Sequence, residues 1–344
     1  MNRLARLSSE ERAEAIQIAS AQSPLSAALL EKDFWVCWML ERLFSIPELA
    51  PFLLFKGGTT LSKVYNVIHR FSEDVDISVS REFLRPDAPN SAEAEGISNT
   101  RRRKEIETLV ATFHRAVTGI ILPRLHAVIA QELQTERGWR LVQDTNDAGT
   151  LHFVYPTGVV TPSSSPLYNL PSVKIEMGGR SDLWPAEERT VTPYLAELLP
   201  QAFEKAVVGV RVLAPERTFW EKATILHNEY YRPLEKRRAE RISRHYYDLV
   251  QLAVHPQIGP QSLAARDLLH RVIEHKTVYY SDSWSRYAEA GTGAMRLVPS
   301  EAEQARLRGD YQQMRPMFFD EPPAFETLLS ELAHLETEIN KAVQ

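Results

Sequence analysis

A single cysteine in 344 residues excludes an internal disulfide. That residue, Cys37, stands in an apolar helical stretch and reads as a buried, inert thiol. Long hydrophobic runs are missing too. None approaches the roughly 18–20 residues that a bilayer-spanning helix needs, so no membrane contact is expected. The first residues, Met1-Asn-Arg-Leu-Ala-Arg-Leu-Ser-Ser-Glu-Glu, are charged and lack the apolar core of a signal peptide, and a cytoplasmic location is the expectation. There is no excess of basic residues: the net charge is −5, which excludes binding of nucleic acid by global charge. The ten histidines show no zinc-site spacing,, and no segment repeats.

What remains is an ordinary globular composition, 44% hydrophobic and 25% charged,. The length argues for two domains, or one with a large appendage. Positive charge is locally concentrated. Arg101-Arg-Arg-Lys104 is a basic block, and residues 232–244 hold six Arg/Lys against two Glu. Such patches bind phosphate even on an acidic protein; a solvated helix face is the alternative of equal weight.

The chain is organised around residues 52–79. The apolar run Phe52 to Phe55 ends in Gly57-Gly58, and a helical stretch follows over 59–68. Val75, Ile77 and Val79 then alternate with Asp74, Asp76 and Ser78, the period of a strand. At that period Asp74 and Asp76 share a face, roughly 7 Å apart along the strand. Two carboxylates so placed repel each other unless a cation sits between them, and a divalent metal is the commonest such cation. A glycine pair between a strand and a helix start offers free backbone N–H groups to an anion and lets a phosphate approach closely.

Elsewhere the patterning predicts helices over 9–22, with Ser8 or Ser9 as cap, and over 26–45. A long helix over 99–132 is expected to bend near Gly119 and Pro123. Strands are expected over 139–143, 150–155, 172–177 and 210–213. Residues 156–171, rich in Ser and Pro, read as an exposed loop. The strand 172–177 carries Glu176, a carboxylate flanked by apolar residues. From about 210 the pattern turns helical: Pro215-Glu216 opens a helix over 215–230, and another contains Tyr246 to Leu252. A phosphate cradle, two metal-binding acids and a third acid at Glu176 together meet the needs of nucleotidyl transfer.

Those residues resemble the nucleotidyltransferase fold of the polymerase-beta superfamily. More narrowly, Phe55-Lys-Gly-Gly-Thr-Thr-Leu-Ser-Lys-Val-Tyr65 and Arg70-Phe-Ser-Glu-Asp-Val-Asp76 resemble the AbiEii/AbiGii family, the toxin members of abortive-infection toxin–antitoxin systems. Glu31-Lys32-Asp33-Phe34-Trp35 resembles that family's N-terminal helix motif. Pro215-Glu216-Arg217-Thr218-Phe219-Trp220-Glu221-Lys222 and Tyr246-Tyr247-Asp248-Leu249 resemble its downstream motifs.

The resemblance implies an α+β fold: a nucleotidyltransferase-type mixed sheet flanked by helices over 1–210, then a mainly α-helical C-terminal domain over 211–344 that contributes Lys222 and Asp248 to a cleft. It implies Mg2+ or Mn2+ held by Asp74 and Asp76 with Glu176 as third ligand, and an NTP held by Gly57, Gly58, Thr59, Ser72 and Lys222. Asp74, Asp76, Lys222 and Asp248 would be catalytic. The implied acceptor is a tRNA 3′ end and the implied partner an antitoxin, in a phage-defence role. Nucleotidylation of a protein or small molecule, or nucleotide binding without transfer, are the competing readings.

Plainer readings stand beside these. Glu176 pairs with Lys174 or an arginine; Arg70 contacts phosphate or holds the Asp74 turn; Asp248 orients Lys222 or a hydroxyl. Lys56 and Lys63 are expected to be solvated, and His69, His227 and His245 to be surface or partly packed groups. Trp184, Trp220 and Trp284 read as core or rim anchors.

Overall fold

A computed structural model describes residues 1–159, 171–236 and 241–341. Most of the loop expected at 156–171, and residues 237–240 of the basic stretch, lie outside the described residues. The chain forms two compact units. The first comprises Met1–Val64, Glu73–Ser91 and Arg103–Val212; the second comprises Tyr65–Ser72, Ala92–Arg102 and Leu213–Gln344.

The first unit is built on a mixed sheet of seven strands: β1 (Leu53–Lys56), β2 (Val75–Val79), β3 (Arg140–Gln143), β4 (Thr150–Val154), β5 (Ser172–Gly178), β6 (Ala186–Val191) and β7 (Val208–Leu213), in the order β3-β4-β5-β2-β1-β7-β6. The pairs β1/β2, β3/β4 and β4/β5 are antiparallel, whereas β2 runs parallel to β5 and β1 parallel to β7. The central strands β1 and β2 are buried except at Lys56 and Asp76, as strands covered on both sides must be. Edge strand β6 escapes sequence reading, because Ala-Glu-Glu-Arg-Thr-Val is mostly exposed and shows no apolar alternation,.

Local chemistry sets the first helices. Ser8 and Glu11 form a capping box at the start of Ser9–Ser20, and Ser26 caps Ala27–Phe44 through the Leu29 N–H,. The helix Ala27–Phe44 is buried along nearly its whole length. Trp35 stacks on Tyr155 with ring centroids 5.5 Å apart, and Trp38 on Phe153 of β4 at 5.7 Å. The helix after the glycine pair is shorter than expected. It spans only Gly58–Lys63, and the chain then turns through Asn66 at a left-handed φ of 50°, which asparagine tolerates better than most residues. The long helix bends where expected: Asn99–Ala116 passes through a π turn, Val117–Ile121, into Leu122–Leu133. Pro123 has no N–H to give the preceding turn, and a π turn absorbs that loss.

In the second unit, the helix Pro215–Tyr231 packs against Ser243–Val254, Ile258–Ala264 and Arg266–Tyr279 through buried Phe219, Trp220, Ala223 and Leu226. The segment Tyr65–Ser72 is hydrogen-bonded into this unit. Phe71 N–H donates to the Met317 carbonyl at 2.7 Å and Phe319 N–H to the His69 carbonyl at 3.1 Å. Among the described residues no helix is long and apolar enough to cross a membrane.

Candidate active site

On the first unit's sheet, Lys56 of β1 pairs in register with Asp76 of β2, Asp76 with Glu176 of β5, and Glu176 with Thr150 of β4. Partners in register project to the same face, so these side chains form one row, and Asp74, two residues before Asp76, shares it. Gly57 stands immediately over this row. It has a φ of +87°, and a Cβ there would collide with the Asp76 carboxylate. Only glycine lets the turn and the acid lie so close. The hydroxyl of buried Thr59 donates to the Asp74 carbonyl at 2.6 Å, and that of Thr60 to the Gly57 carbonyl at 2.8 Å. Thr59 therefore ties the first turn of the short helix to the acidic strand. Lys56 is not simply solvated: its Nζ donates to Ser181 Oγ at 2.9 Å.

Glu176 meets Lys174, one of the partners expected for it. The Lys174 ammonium, two residues away on the same face, donates to its carboxylate. Burial would lower the Lys174 pKa, but the hydrogen bond and charge of Glu176, with the charges of Asp74 and Asp76, hold it above the ordinary lysine value. Lys174 is thus a cation standing among three carboxylates. Among the described residues no three His, Cys, Asp or Glu side chains are gathered to hold an ion. The donor set still suits a metal. Its oxygens match a hard divalent cation of the kind that binds through one or two carboxylates plus substrate phosphate, and the lysine shows that the face attracts positive charge.

The second unit holds a different cluster. Asp248, fully buried, accepts two parallel bonds from Arg70, Nε to Oδ1 and Nη2 to Oδ2, each at 2.8 Å. Lys222 Nζ donates to its Oδ2, also at 2.8 Å. Burial alone would raise the Asp248 pKa; the two cations overcome it and hold the acid well below the usual carboxylate range. Burial pulls Lys222 below the ordinary lysine value despite Asp248. His245 Nδ1 lies 3.5 Å from Lys222 Nζ. Burial, then the charges of Lys222 and Arg244, push its pKa well down, so the imidazole is neutral at neutral pH.

Sequence reasoning missed the pairing of Arg70 with Asp248, because the 178 positions between the two leave no signal in the sequence. Lys222 is buried, and Asp248 orients it. Ser72 is partly exposed at the end of the segment Tyr65–Ser72 of the second unit. Two further expectations need correction. Lys63 is buried rather than solvated, and its Nζ lies 2.8 Å from Asp33 Oδ1. His227 is a core histidine with Nε2 2.8 Å from the Arg286 carbonyl and Nδ1 accepting from the Arg296 N–H at 3.0 Å. Trp220 is a core anchor, whereas Trp184 is half exposed.

Residues 38–331 match the family model described as nucleotidyl transferase AbiEii toxin, type IV toxin–antitoxin system. The chain belongs to this family. The AbiEii match runs through β1, the glycine turn, the acidic strand and the helices that carry Lys222 and Asp248, so both clusters lie within it. A search of curated proteins finds no match. Among solved structures the chain is similar to MenT4, a nucleotidyltransferase toxin from Mycobacterium tuberculosis H37Rv, at 15% identity and a TM-score of 0.44, over 97% of this chain and 99% of that one. A likeness so distant supports no residue assignment.

Proposed function

We propose that this AbiEii-family chain is a metal-dependent nucleotidyltransferase that places a nucleotide from an NTP on a tRNA 3′ end and so blocks translation. The observation that carries the reading is the seating of the Asp76 carboxylate against the Gly57 turn, which sets an acid beside the start of a helix. Asp74 and Asp76 would hold Mg2+ or Mn2+. When bound, that ion neutralises charge on the triphosphate and the leaving pyrophosphate.

The glycine turn binds phosphate through its own N–H groups, because a helix of six residues contributes little dipole. Lys222, held by Asp248 at 2.8 Å, carries charge of the sign that meets a triphosphate. Asp248 holds Lys222 in one rotamer. The basic stretch 232–244 is proposed to contact the acceptor backbone. Membership of a two-component toxin family supports a cognate antitoxin, and a reaction on NTP and tRNA belongs in the cytoplasm.

The test is incubation with each α-labelled NTP and separate pools of RNA and protein. Label on RNA 3′ ends, absent with Asp76→Ala, is the expected result. Label in protein alone rejects the tRNA acceptor, and nucleotide binding without pyrophosphate release rejects transfer.

A further inference from the structure

Glu31, Lys32 and Asp33 are consecutive on the helix Ala27–Phe44, with relative exposures of 2%, 8% and 2%. Charged side chains are rarely buried unless paired, and a helix that only fills a core gains nothing from three in a row. Each reaches a different segment of the first unit. Glu31 accepts from the Thr157 hydroxyl at 2.6 Å and faces Arg12 at 3.8 Å. Lys32 Nζ lies 2.5 Å from Glu73 Oε2. Asp33 Oδ1 lies 2.8 Å from Lys63 Nζ, and its Oδ2 accepts from the Tyr194 N–H at 2.7 Å. The Lys63 ammonium also sits 3.5 Å from the centre of the Tyr194 ring. Burial would lower the Lys63 pKa, yet the Asp33 charge raises it above the ordinary lysine value, so this lysine is charged inside the protein.

The positions of Lys63 and Glu73 give these pairs their meaning. Lys63 is the last residue of the helix that opens at Gly58, and Glu73 directly precedes Asp74. The intervening segment Tyr65–Ser72 belongs to the second unit. The chain therefore leaves the first unit just after Lys63 and returns at Glu73, and one helix holds both points through adjacent residues.

We propose that Lys32 and Asp33 are positioning residues. By pinning the chain's exit at Lys63 and its return at Glu73 to one rigid helix, they fix Gly57–Gly58 against Asp74–Asp76. The step to nucleotide affinity rests on the reading of that turn and strand as an NTP site; the pinning itself does not. An unpinned return leaves the carboxylates free to shift by about 1 Å, enough to cost roughly a hundredfold in a catalytic site.

Hydrogen exchange and Mn2+-dependent NTP binding, both measured well below the unfolding temperature, test this on the full chain. Asp33→Asn keeps the acceptor for Tyr194 but removes the charge facing Lys63; Lys32→Met removes the charge facing Glu73. In the folded variants, amides of 57–64 and 73–79 are expected to exchange about tenfold faster, with β3 and β4 unchanged. NTP affinity is expected to fall roughly tenfold, while Lys63→Arg, which keeps its pair, stays near wild type. If Asp33→Asn does not fold, Lys32→Met and Glu73→Gln carry the same prediction at the return point. Unchanged exchange at both segments in folded variants overturns the proposal. Faster exchange with a wild type that binds no NTP upholds the pinning and instead sinks the functional reading.

Discussion

The acidic row on β2 and β5 and the buried cluster around Asp248 use the same residue types in opposite proportions. On the sheet, Glu176 pairs with Lys174, whose side chain is 42% exposed, and Asp74 and Asp76 act on the same ammonium through their charge. Around Asp248, one carboxylate takes two cations and is fully enclosed. The first lies partly open to solvent; the second is enclosed, so the fold itself has to stabilise its charges. Burial makes the difference. An exposed imbalance costs little because water and salt screen it, whereas a buried one persists only if every group is held by a strong partner.

That contrast predicts separable consequences. Asp76→Ala has the largest expected effect: nucleotide transfer falls by roughly 10³-fold, with the unfolding midpoint little changed because Asp76 is only partly buried. Full transfer by this variant would show that the acidic row is not the reaction's electrostatic centre. Lys222→Met should reverse the pattern of damage. It leaves Asp248 with Arg70 alone, and denaturant titration should show a loss of about 3 kcal/mol along with lost transfer. A variant as stable as wild type would mean that Arg70 suffices for Asp248 and that Lys222 is kept for chemistry alone.

The pH dependence of stability sharpens the comparison further. His245 and His227 both have folded-state pKa values below the ordinary 6.5. Below that pH the unfolded chain takes up protons that the folded chain refuses, so stability falls with decreasing pH by up to about 1.4 kcal/mol per unit per histidine. The Asp248 pKa is depressed too, but for an acid that means a contribution intact through this window and lost only at far lower pH. Thermal unfolding between pH 5 and 8 should show the decline, and His245→Gln should flatten it. An unchanged slope in that variant would remove His245 from the account. The smallest effect is expected for Lys174→Met. The Lys174–Glu176 pair is half exposed and worth about 0.2–1 kcal/mol, so Mn2+ titration should show tighter binding by at most roughly fivefold. Weaker binding would mean that Lys174 orients the carboxylates rather than competing for them.

Much of the acidic row was legible in advance because its signals are local. Alternation places Asp74 and Asp76 on one face, and a glycine ahead of a strand pair marks a close approach. The end of the helix Gly58–Lys63 was not legible, since Val64 and Tyr65 are neutral to helix formation and the turn at Asn66 depends on where the chain goes next. Strand β6 was missed because an exposed edge carries no apolar period. Lys63 was misread because a lysine's solvation depends on its surroundings, and here those are Asp33 and Tyr194.

By itself, then, the sequence determined the glycine turn, the carboxylate strand, the buried Cys37 and the change from sheet to helices near 210. These follow from periodicity and backbone preference within a few residues. Only the tertiary structure decided which charge meets which: Arg70 with Asp248, Asp33 with Lys63, Lys174 with Glu176. Charge pairing acts through space and gains its strength from burial, and neither the distance between side chains nor the water around them is written in the order of residues along the chain.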